Sequence, residues 1–144
     1  MKWLVLFHVL GATIWAGGHL ILSLAFLPKA LHEKNIQIIL DFEKQYERVG
    51  LPALLLQTVT GLWMALTYIP FTEWWSLSTP HHNYLWIKIL LLLSTMGFAI
   101  HARLFIMPRL TVEKLPELAF HIIVATVLAV GFVVTGLSFR FSFY

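Results

Sequence analysis

"WLVLFHVLGATIWAGGHLILSLAFLP", residues 3–28, lies between Lys2 and Lys29 without one charged side chain. A helix crosses the hydrocarbon of a bilayer with about 20 apolar residues, within a range of about 17–25. Further charge-free runs follow at 49–72, 89–102 and 118–139. The run at 89–102 reaches spanning length once 84–88 is added, with Lys88 snorkelling toward the interface. The chain is 59% hydrophobic and 12% charged, with mean hydropathy +0.80. Soluble domains carry roughly a quarter charged residues. The expected architecture is therefore an all-α integral membrane four-helix bundle, one domain over 1–144 with spans near 3–28, 50–70, 84–107 and 118–139.

The first run has no small-residue cleavage site, so it reads as a retained helix rather than a signal peptide. With no cysteine, disulfides, thiolate metal sites and thiol redox chemistry are excluded. The net charge of +3 and pI of 9.4 reflect basic loops rather than a nucleic-acid partner. Lys29, Lys34, Lys44 and Arg48 follow the first span, and Arg103, Arg109 and Lys114 follow the third. Only Lys2, Lys88 and Arg140 fall on the other side. The positive-inside rule then predicts an inner (cytoplasmic) membrane protein of bacterial type, with both termini periplasmic.

In "HEKNIQIILDFEKQYERVG", residues 32–50, Ile36, Ile38, Ile39, Phe42, Tyr46 and Val49 recur near helical spacing. This predicts a cytoplasmic helix running into the second span, with Pro52 tolerated by its neighbours. "FTEWWSLSTPHHN", residues 71–83, suits an interfacial segment, and His81–His82 reads as a polar loop rather than a metal contact. His32 is likewise assigned to a loop.

His8, His19, His101 and His121 fall within or at the ends of spans, where an ionisable side chain is a functional hypothesis by default. At 1.5 Å per residue, His19 lies about 13 Å from Pro28, His101 about 10 Å from Pro108, and His121 about 8 Å from Pro116. Those depths place the three imidazoles in the same membrane half. His19 and His101 read as a ligand pair, while capping or helix packing suits His121 equally well. His8 lies about 16 Å nearer the other surface, on nearly the same face as His19.

Copper(I) prefers soft ligands, and Met64, Met96 and Met107 are scattered. Haem b needs axial imidazoles and a slot bordered by small residues. Gly11, Trp15, Gly18 and His19 share a face of the first span; Ser94, Gly97 and His101 share one on the third; Gln57 and Gly61 share one on the second. Arg103 and Arg109 are placed to meet propionates, or simply to obey the positive-inside rule. Lys88 lies about 220° around the helix from His101, which favours snorkelling over a ligand or proton-donor role.

"FHVLGATIWAGGHLIL", "FEKQYERVGLPALLLQTVTGLWMAL" and "LWIKILLLLSTMGFAIHARL" resemble the first three helices of CopD, the copper-resistance D domain. The carriers of the resemblance are a His, a Trp followed by Gly-Gly, the Thr60–Gly61 pair and a Lys opening the third helix. The architecture is also similar to HemJ-type protoporphyrinogen IX oxidases, with Lys88 and His101 in matching places. It differs at "GGHLILSLAFLPKAL", where those proteins have an Arg after the prolines and a further His.

Both resemblances imply a membrane protein handling haem or copper. The reading favoured by the residues is a haem b redox protein in electron transfer or copper and haem handling. Its haem would be held by His19 with His101 or His121, and His8, Trp15, Gly18, Gln57 and Arg103 would line the site. Copper transport without haem, a HemJ-type oxidase, and a non-catalytic subunit stand as alternatives, with a homodimer or membrane redox partner in the bilayer.

Overall fold

The computed structural model describes residues 2–76 and 79–141, with side chains through 138. Arg140, expected on the less basic side, therefore lies outside the described side chains. Helix α1 spans Lys2–Ile21 and continues through a π turn, Leu22–Phe26, into α2, Leu27–Glu33. A short turn with Lys34 in the left-handed region (φ 50°) reverses the chain into α3, Gln37–Tyr68. Helix α4, Pro80–His101, runs through a second π turn, Ala102–Ile106, to Arg109, and α5 is Leu115–Phe141. Four helical stretches are long and apolar enough to cross a membrane, Lys2–Glu33, Gln37–Tyr68, Pro80–Arg109 and Val112–Ser138. The fold is an all-α four-helix bundle in which α1 packs on α3 and α5, and α4 on α5.

The amphipathic stretch and the second span form one helix of 32 residues that runs through Pro52. Both π turns stand directly ahead of a proline, Pro28 or Pro108. Proline lacks an N–H and its ring crowds the carbonyl one turn earlier. The wider turns accommodate this, with the N–H groups of Leu27 and Met107 reaching back to the carbonyls of Leu22 and Ala102.

Two assignments are corrected at α4. The helix starts at Pro80 rather than near residue 84, so His81 and His82 occupy its first turn instead of a loop. Pro80 presets the first helical φ. Buried His82 accepts both the Thr79 backbone N–H (3.3 Å) and the Thr79 hydroxyl (2.9 Å) at Nδ1. His32 also lies in a helix, α2.

Leu22, Leu27, Ala30, Ile39, Ile106, Leu115 and Leu118 form the core at the end carrying Lys29 and Arg103, hereafter the basic end. Trp15, Ala16 and Ala129 pack at mid-depth, and Ile69, Trp74 and Leu85 close the opposite end. Outward faces are apolar, with Leu24, Leu55, Leu90 and Val127 each about two-thirds exposed or more. Threonine hydroxyls along the spans turn back onto their own helices: Thr60, Thr95, Thr126 and Thr135 donate to carbonyls four residues earlier at 2.6–2.8 Å. In hydrocarbon no water is present to serve those groups.

The helix contacts fix which glycines matter. A Cβ on Gly11 would come within 2.8 Å of the Ala53 carbonyl oxygen, a backbone atom of α3, whereas one on Gly17 would meet nothing within 4 Å. Gly11→Ala is expected to cost about 1–3 kcal/mol by overpacking. Gly17→Ala is expected to be neutral or to gain up to about 1 kcal/mol of helix propensity. Thermal unfolding of the two variants in detergent measures the difference.

Candidate functional site

His8 is held between α1 and α3. Its Nδ1–H donates to the Gln57 carbonyl at 2.9 Å and lies 3.1 Å from the Thr60 hydroxyl. Its ring rests on Gly61, where a Cβ would sit 2.9 Å from Cε1. Lys88 of α4, half-buried, lies within electrostatic reach of His8. Gln57 is buried, and its Oε1 has no hydrogen-bond partner.

His19 donates from Nδ1 to the carbonyl of Trp15, one turn earlier on its own helix, at 2.9 Å. The same carbonyl accepts the Tyr46 hydroxyl at 2.9 Å. The His19 ring lies 4.3 Å from Trp15 and 5.9 Å, edge on, from Tyr46, centroid to centroid. The Tyr46 ring covers Gly18, and any Cβ there would run into it. The clearance at Gly18 is thus taken by an aromatic side chain of α3. Trp15 is buried, with its Nε1 unpartnered.

The expected cluster of His19, His101 and His121 is not formed. Among the described residues no three His, Cys, Asp or Glu side chains come together as a metal-holding group. The Thr126 hydroxyl, whose proton is shared with the Ile122 carbonyl of its own helix, lies 3.1 Å from the His19 carbonyl, so His19 is level with Thr126, about 7–8 Å further along α5 than His121. Five residues also turn the helix by about 140°, so α5 offers Thr126 to α1 and His121 to α4.

His101 and His121 do meet. His101 Nδ1 lies 3.0 Å from His121 Nε2, with the rings 8° apart and their centroids 5.0 Å apart. His121 Nδ1–H donates to the Glu117 carbonyl at 3.0 Å. A carbonyl only accepts, so the neutral His121 ring presents its lone pair at Nε2, and His101 must be the donor to it. Phe98, Phe105 and Phe120 surround the pair.

Arg103, two residues beyond His101, is committed to Glu47 of α3 at 2.8 Å, with Glu43 also within electrostatic reach. It links the turn after α4 to α3. The sequence places Tyr46 on the amphipathic helix without marking it, or Glu47, as a neighbour of the histidines. The Phe42–Tyr46 spacing of four residues was the available signal, and their rings stack at 5.5 Å.

The filling of the cleft by Tyr46 is testable. Gly18→Ala is expected to destabilise by about 1–3 kcal/mol, and most of that cost disappears in a Tyr46→Ala background, a coupling read from a double-mutant cycle of unfolding midpoints. Additive effects would mean that something other than Tyr46 occupies the space.

The family model for copper resistance protein D matches residues 40–139, which take in α4 and nearly all of α3 and α5. No curated protein and no solved structure matches the chain.

Proposed function

This chain belongs to the copper resistance protein D family, and we propose that it handles copper within the membrane, with His101 and His121 as the nitrogen ligands. The observation that carries the reading is the 3.0 Å separation of His101 Nδ1 and His121 Nε2. Metal–imidazole bonds of about 2 Å, set at right angles as in tetragonal copper(II), place their two nitrogens about 3 Å apart. Copper would replace the proton shared by the pair. His101 would then carry its N–H at Nε2, so both rings would stay neutral. His121 keeps its Nδ1–H on the Glu117 carbonyl, the kind of outer bond that orients a ligating imidazole. Both residues also lie inside the family match.

His8 and His19 extend the reading. Each spends its Nδ1–H on a backbone carbonyl, leaving Nε2 as the lone-pair nitrogen. They stand as further nitrogen positions along α1. A haem axially held by His19 fits less well, because Tyr46 occupies the cleft at Gly18 and Arg103 is paired with Glu47.

Copper titration of the purified protein, followed by electron paramagnetic resonance, tests the assignment. His101→Ala and His121→Ala are each expected to weaken copper binding by at least about tenfold and to change the nitrogen hyperfine pattern. His32→Ala, on an exposed face of α2, should leave both unchanged. Equal binding in all variants would sink the assignment. A Soret band after expression with ample haem would favour the haem b reading instead.

A further inference from the structure

Independently of the histidines, the end of α1 and the start of α3 enclose an open groove of about 650 Å³ at the basic end. Its floor is apolar and aromatic. Phe26 lies 4.7 Å from Phe42, Phe42 stacks 5.5 Å from Tyr46, and Val49 continues the surface down α3. Its rim carries Lys29 from α2 and Asp41 from α3. Among the described residues no ion pair joins these two, since the one such pair is Arg103–Glu47. Asp41 receives the Gln37 amide at 2.7 Å.

The groove therefore carries a basic and an acidic residue on its rim and an apolar floor, where two spanning helices reach their ends. We propose that it binds a phospholipid of the phosphatidylethanolamine type. The phosphate lies against Lys29, the ammonium against Asp41, and an acyl chain covers the Phe42 and Tyr46 rings. Charge decides the headgroup. A purely anionic lipid would satisfy Lys29 and set its excess negative charge beside Asp41. A choline headgroup carries the positive charge but has no N–H to donate to the carboxylate. The lipid so placed would rest on Tyr46, the residue that walls His19.

The test is native mass spectrometry of the full chain in neutral detergent, with phosphatidylethanolamine, phosphatidylglycerol or phosphatidylcholine added to the micelles. One phosphatidylethanolamine should be retained about fivefold more than either other lipid. Lys29→Gln and Asp41→Asn should each lower that retention about fivefold, and Asp41→Asn should also narrow the margin over phosphatidylglycerol. Both side chains are exposed, so neither change is expected to disturb folding, which circular dichroism verifies. Val49→Trp, which fills the floor, should abolish retention without altering charge. Equal retention of the three lipids, retention of none, or phosphatidylethanolamine binding untouched by the rim substitutions overturns the proposal.

Discussion

The close approach of α1 to α3 is the constraint on which the remaining geometry depends. Lipid tails are as apolar as leucine, so no hydrophobic force drives spanning helices together, and packing must do it. Gly11 admits the Ala53 carbonyl and Gly18 admits the Tyr46 ring. Tyr46 then anchors its hydroxyl on the Trp15 carbonyl, which His19 also uses. One helix contact thereby sets the rotation of α1, the surroundings of His19 and the position of the groove beside Phe42. Once α1 is turned this way, its His19 carbonyl faces Thr126 on α5. The opposite side of α5 is left to α4, and there His121 meets His101.

The second organising demand is that polar groups be satisfied without water. Threonine hydroxyls return to their own helices, and Pro28 and Pro108 are accommodated by the π turns that follow α1 and α4. His8, His19 and His121 each give Nδ1–H to a carbonyl. The same economy that makes these imidazoles tolerable in an apolar bundle fixes their tautomers, and a fixed tautomer is what a nitrogen ligand requires. Among the described residues the unpartnered Gln57 Oε1 of α3 and Trp15 Nε1 of α1 are the exceptions, and both lie at the contact between these two helices.

Much of the fold was legible in the chain. Charge-free runs marked the spans, and the spacing of Phe42, Tyr46 and Val49 marked a helix continuous with the second span. The start of α4 is not legible in the chain, because His82 has the look of a loop residue and yet serves as the helix's own capping acceptor. The site was legible in its residue types but only partly in its partners. Counting residues at 1.5 Å each estimates depth along an axis, and proline positions served as the zero. Those zeros differ from helix to helix, and the count says nothing about azimuth.

The sequence by itself determined a helical membrane protein, because a chain with so few charges can satisfy its backbone in hydrocarbon only by closing hydrogen bonds within each segment. It also determined that imidazoles would stand inside those segments. Only the tertiary structure decided that His101 meets His121 while His19 meets Trp15 and Tyr46. Which faces of neighbouring helices touch is set by where backbones can approach, at Gly11 and Gly18, and by the crossing that follows. That information is shared between helices and is carried by no one of them alone.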